Sequence, residues 1–181
     1  MATIIKDKKL AADPWLRLDA GADGAAPVIP AQGDVIVPLA VWQAEREALL
    51  ARIGGRIGIR VNGDEEPSSF ADDLRHFGVV AVYFKTFTDG RGFSLGRLLR
   101  ERYGYRGELR AIGDIFRDQL HFLAGCGFDA FELREGESAL EALAGFRVFS
   151  ETYQASTERP VPLFRRRHSA SADGVERPKN A

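Results

Sequence analysis

Apolar and polar positions along the chain switch repeatedly between a period of two and a period near 3.6, so strands and helices are expected in turn. DVIV (Asp34–Val37) reads as a short strand, and Pro38 then suits the first turn of a helix, where its missing N–H costs nothing. In LAVWQAEREALLARI the residues Leu39, Trp42, Arg46, Leu49 and Leu50 recur at mostly helical spacing, and Gly54 and Gly55 stop the run. RIGIRV (Arg56–Val61) alternates as a second strand, NGDEEPSS is a polar connection, and SFADDLRHF is a short helix. GVVAVYF (Gly78–Phe84) is almost continuously apolar and rich in valine, the pattern of a strand covered on both faces.

Downstream, Ser94 is expected as the N-cap of a helix that places Leu95, Leu98, Leu99 and Tyr103 on one face. ELRAIG (Glu108–Gly113) is a fourth strand. Asp114 is expected to cap a helix with Phe116, Leu120 and Leu123 on its apolar side, closed near Gly125 and Gly127. FDAFEL (Phe128–Leu133) is a fifth strand, Ser138 with Glu141 forms a capping box for a helix carrying Leu140, Leu143 and Ala144, and FRVFSETY (Phe146–Tyr153) reads as a final strand. Residues 1–33 read as an irregular arm with an apolar island at Trp15 and Leu18, residues 34–155 as the folded domain, and residues 156–181 as a disordered tail.

Strands alternating with helices of about ten residues imply βα units and a mainly parallel sheet in a single α/β domain. Right-handed crossovers place helices on both faces of an open three-layer sheet, or roll the sheet into a half-barrel. The pattern leaves both open. In either case functional groups gather in loops at the carboxyl ends of the strands.

Composition narrows the chemistry. The 181 residues, 45% of them hydrophobic, suit one domain with a real core. A formal net charge of −1, from 25 basic and 26 acidic side chains, speaks against a nucleic-acid binder. Glu101 and Glu108 also interrupt the arginines between Arg97 and Arg110. No segment approaches the ~20 apolar residues of a membrane span, and charges break MATIIKDKKLAADPW before a secretory signal could form. A cytoplasmic protein is the expectation. One cysteine excludes an intrachain disulfide and a four-thiolate iron–sulfur or zinc site. His76, His121 and His168 give no metal-ligand pair at helical or finger spacing, and none is well placed for a nucleophilic triad. Cys126, between two glycines, fits a small buried apolar residue better than a reactive thiol.

The candidate chemistry lies in TDGRGFS (Thr88–Ser94) and ELRAIGD (Glu108–Asp114). A strand, then Gly90 and Gly92, then a helix opening near Ser94 is a layout that holds an anion on backbone N–H groups, with Arg91 or Arg97 adding charge. It matches neither GxxxxGK[ST] nor GxGxxG, so no nucleotide fingerprint is met, and the same glycines serve an ordinary turn in which Asp89 bonds nearby backbone. Arg110 lies inside a covered strand, where a charge needs a partner: Asp89, Asp114 or Asp129 in a buried ion pair, or else a bound oxyanion. Asp89, Arg91, Ser94, Arg110 and Asp114 form the candidate anion or ligand site.

The run from Thr88 to Leu133, with its DGRGFS, LLRE, GELRA, RDQ and CGFDAF, resembles the bacterial domain-of-unknown-function family numbered 934, and VIVPLAVWQAEREALL is similar to that family's lead-in. The resemblance covers roughly Asp34 to Tyr153; Gly96 and Gly125 depart from it and would soften two helix ends. Members of that family are typically encoded beside an assimilatory sulfite or nitrite reductase and are labelled probable oxidoreductases. The resemblance therefore implies an accessory or electron-delivery partner of a sirohaem sulfite (or nitrite) reductase haemoprotein. The residues themselves also suit an oxyanion- or phosphate-binding enzyme or sensor. The cofactor is unknown: no iron–sulfur or metal set is present, and a flavin stays open.

Overall fold

A computed structural model describes residues 3–19, 27–147, 155–157 and 159–166. Three strands come first: β1 (Thr3–Lys6), β2 (Lys9–Ala12) and β3 (Trp15–Arg17). Then follow β4 (Asp34–Pro38), α1 (Leu39–Leu50), β5 (Ile57–Asn62), a 3-10 helix (Ala71–His76), β6 (Phe77–Phe84), α2 (Arg91–Glu101) and β7 (Glu108–Gly113). A 3-10 turn (Arg117–Gln119) leads into α3 (Leu120–Gly125), and β8 (Ala130–Phe131), α4 (Ala139–Ala142) and a 3-10 helix (Leu143–Arg147) follow.

The eight strands of the described residues form one sheet in the order β2-β1-β8-β7-β6-β5-β4-β3. From β3 to β8 every neighbour is parallel, joined by the expected crossovers. β1 is antiparallel to both β2 and β8. The fold is thus a single α/β domain, but its sheet is mixed rather than mainly parallel. A hairpin can only be antiparallel, and this one has a two-residue turn, Asp7 and Lys8, both with positive φ.

Of the two architectures left open, the curled half-barrel is the observed one. Two of its features show why it must curl. The edge strands β2 and β3 are separated in sequence by Asp13 and Pro14 alone, so their ends lie within the ~11 Å that three residues can span. Arg17, at the β3 edge, also reaches Glu132, just past β8.

Alternation along the strands sorts the two faces. Val35, Val37, Ile59, Val61, Val80, Val82, Leu109 and Ala111 pack with Trp42, Leu49, Leu95, Leu99 and Leu123 of the helices in the main core. Residues of the other parity, Ile36, Val79, Ala81 and Ile112, join Trp15 in a smaller inner cluster. Arg60, Glu108 and Arg110 share that inward parity. Gly58 does too, and a Cβ there would collide with Val79.

Several expectations are corrected by tertiary context. The arm expected over residues 1–33 contains three strands, because Ile4, Ile5 and Trp15 are buried against the sheet. Ser94 does not cap α2: the helix starts at Arg91 after Gly90, and Ser94 lies exposed one turn in. Asp114 does not cap α3; the Gln119 side chain accepts the Phe116 N–H at 3.0 Å instead. Ser138 does cap α4, accepting the Glu141 N–H at 3.3 Å. FDAFEL keeps only Ala130 and Phe131 as strand. In the expected last strand, Phe146 and Arg147 are 3-10 helix, and residues 148–153 lie outside the described residues. Of the expected tail, residues 156–157 and 159–166 are described, and Thr157 docks its N–H and hydroxyl on the Gly125 carbonyl. The remainder lies outside the described residues.

Candidate functional site

The carboxyl ends of the parallel strands carry the loop 85–90, the residues Asp114 to Phe116, the connection after β5 and the segment after β8. Asp89 sits two residues before Arg91 and takes its guanidinium with both oxygens, at 2.9 Å to Nε and 2.8 Å to Nη2, besides the Arg91 N–H at 3.2 Å. These bonds hold the Asp89 carboxyl down at about 2. Asp64, from the β5 connection, approaches Arg91 Nη1 at 3.2 Å. Arg91 is therefore clasped on two sides.

Asp114 locks two loops together. Its Oδ2 accepts the Phe87 N–H at 2.9 Å, and its own N–H reaches the Phe84 carbonyl. Arg134 approaches the other oxygen at 3.5 Å and stacks 4.4 Å above the Phe116 ring. Phe116 meets Phe87 edge-to-face at 5.3 Å, and Phe87 remains 45% exposed. The result is an aromatic ledge backed by a cation.

The inner face supplies a second group that the motifs did not signal. Arg60 donates to Asp19 at 2.8 Å and lies 5.6 Å over the Tyr83 ring. Arg17 approaches Asp19 at 3.7 Å and donates to Glu132 at 2.7 Å. One signal was present in the sequence: Arg60 interrupts the apolar RIGIRV as Arg110 interrupts ELRAIG.

The structure thus gathers Asp89, Arg91 and Asp114 at one edge, leaves Ser94 on the outside of α2, and sets Arg110 apart. Arg110 is buried, and its partners are Asp13 and Glu108 rather than Asp89, Asp114 or Asp129. It forks onto Asp13 at 2.7 and 2.9 Å and donates to Glu108 at 2.7 Å, while Lys6 takes the second Glu108 oxygen at 2.7 Å. Asp13 precedes β3 and Glu108 opens β7, so this network occupies the amino-terminal half of the interior. Asp129 instead holds Arg100 at 2.6 Å.

Chemically, Arg17, Arg60, Arg91 and Arg134 near the strand ends each face a carboxylate. An anion arriving at Arg91 would have to displace Asp89 rather than fill a waiting cradle. Burial pushes the Cys126 thiol up, which disfavours the thiolate. Among the described residues no group of three His, Cys, Asp or Glu side chains is placed to hold a metal ion, and no helix is long and apolar enough to cross a membrane.

No curated protein and no solved structure matches the chain. A family model described as a bacterial protein of unknown function (DUF934) matches residues 58–164, from β5 through the segment after α4. That match spans more than half of the 181 residues and includes every strand-end loop from β5 onward, so the chain belongs to the DUF934 family.

Proposed function

We propose that this protein is an accessory partner in assimilatory sulfite or nitrite reduction, docking in the cytoplasm on a sirohaem sulfite reductase. The observation that supports this reading is the ledge of Phe87, Phe116 and Arg134, beside arginines already committed to carboxylates. Aromatic and arginine side chains are enriched where protein surfaces meet, and Phe87 is held in place by Asp114 and by the Gln119 amide, 3.4 Å from its carbonyl. The genetic context implied by the family resemblance supplies the partner.

The strand-end surface suits docking better than oxyanion chemistry, because Asp89 already fills the fork of Arg91. The test is co-purification with the reductase, combined with sulfite-dependent turnover with and without this protein. Binding that weakens in Phe87→Ala and Arg134→Ala supports the proposal. Absence of both binding and a rate effect overturns it.

A further inference from the structure

We propose that the cleft between the carboxyl end of α2, the loop 102–107 and the residues Ala155, Ser156, Thr157 and Pro160 binds a phosphate- or sulfate-class anion carried on a small molecule. The cleft has a volume of 400 Å³, within the ~300–1,000 Å³ typical of small-ligand sites. Arg97, Arg100, Arg106, Glu101, Ser156 and Thr157 line it.

Its charges are arranged unlike those at the strand ends. Arg100 spends four of its five N–H donors on the protein: Nε donates to the Gly127 carbonyl, Nη1 to those of Tyr105 and Gly107, and Nη2 to Asp129. Arg97 uses Nε on Glu101 at 3.0 Å, which leaves its terminal nitrogens as open donors. The Arg106 side chain is exposed and has no ion-pair or hydrogen-bond partner among the described residues. Among the described residues that line the cleft, Arg97 pairs with Glu101 and Arg100 with Asp129, whereas Arg106 faces no paired carboxylate. Two guanidinia with free donors in one cleft match a tetrahedral oxyanion, whose several oxygens accept from planar forks.

The walls are also fixed before any ligand arrives. Tyr105 is buried, and its hydroxyl lies 3.1 Å from the Phe77 carbonyl and 3.2 Å from that of Glu108. Gly107 is tied to Arg100, so the backbone is held on both sides of Arg106. Across the cleft, Thr157 grips the Gly125 carbonyl through N at 3.0 Å and Oγ1 at 3.2 Å, and Ser156 and Arg159 close a turn. Prior ordering of this kind reduces the entropy lost on binding.

This inference is independent of the reductase reading, since the cleft uses the far end of α2 from Arg91. Its test is thermal-shift and calorimetric titration at constant ionic strength with inorganic phosphate, sulfate and adenosine 5′-monophosphate, with chloride as the reference salt. Binding by the nucleotide and weaker binding by the free ions is expected. Arg106→Ala should weaken nucleotide binding about tenfold or more, the size expected for a lost charge-assisted bond. Arg91→Ala, at the opposite end of α2, should leave it unchanged. Titrations indistinguishable from chloride overturn the proposal, as does binding that survives Arg106→Ala but is lost in Arg91→Ala. Arg106 is exposed, so its replacement tests the cleft without threatening the fold.

Discussion

Arg17 Nη1 lies 2.7 Å from Glu132 Oε1, although 115 residues separate the two and four strands lie between β3 and β8 in the sheet. Across a flat sheet five strand spacings would set these positions ~24 Å apart, beyond the reach of the two side chains. The contact therefore records the curl of the sheet, and with the Asp13–Pro14 link it ties one side of the half-barrel to the other. Both side chains remain about a third exposed, which limits the energy to that of a screened pair. A double-mutant cycle of Arg17→Ala and Glu132→Ala, followed by urea unfolding, should give a coupling of about 0.5–1 kcal/mol. Zero coupling would show that the curl does not depend on this pair.

The Arg110 network is a different case, because burial removes screening. Arg110→Ala leaves Asp13 and Glu108 facing one another without their shared cation, and should cost about 3–5 kcal/mol of unfolding free energy. Adding Asp13→Asn to that variant should recover part of the loss by removing one orphaned charge. A melting temperature unchanged in Arg110→Ala would refute a structural role for the pair and return Arg110 to the list of ligand-binding candidates.

Asp89 offers a pH signature at the strand ends. Its carboxyl is held from 3.8 down to about 2, first by the side-chain bonds from Arg91 and then by the Arg91 N–H. A carboxyl depressed in the folded state stabilises it above the unfolded value and loses that contribution as pH falls toward 2. A carbon-13 NMR titration should place the Asp89 midpoint near 2, and Arg91→Ala should return it to the ordinary aspartate range. An unshifted midpoint in the unmutated protein would mean that the clasp does not persist in solution.

Gly96 and Gly125 should respond oppositely to alanine. A Cβ at Gly96 would enter the Phe128 ring, and overpacking of this kind costs about 1–3 kcal/mol, more than the gain of about 1 kcal/mol in helix propensity. At Gly125 a Cβ meets only the Ser156 Cβ, at 3.7 Å, so Gly125→Ala should be neutral or stabilise by about 0.5–1 kcal/mol. Chemical denaturation of both variants checks the signs; equal effects would show that Phe128 gives way.

The parallel strands from β4 to β7 were legible because each carries its own pattern, whereas β3 lay in the stretch read as an irregular arm. GVVAVYF is apolar on both faces, and only a strand buried on both sides can use such a run, while ELRAIG alternates around its one cation, Arg110. The cap at Ser138 was legible for the same local reason, although of the expected capping box only the Glu141 N–H to Ser138 Oγ bond is present. The hairpin of β1 and β2 was not: its turn is Asp7–Lys8 rather than Asn-Gly, and β2 is largely exposed, so nothing local marks it as a strand. Ser94 was misjudged as a cap because a capping residue is defined by where the helix begins, and the Asp89–Arg91 clasp stands at that start.

At the candidate site, the sequence by itself marked Arg110 as a charge in need of a partner and gathered Asp89, Arg91 and Asp114 at strand ends. It did not choose the partners. Asp13 lies 97 residues from Arg110, and only the curl of the sheet brings them within 2.7 Å. Local periodicity reports which face of a strand is buried, because side chains alternate along the backbone. Which charge meets which depends on strand order and curvature, and these are decided by the packing of the whole chain.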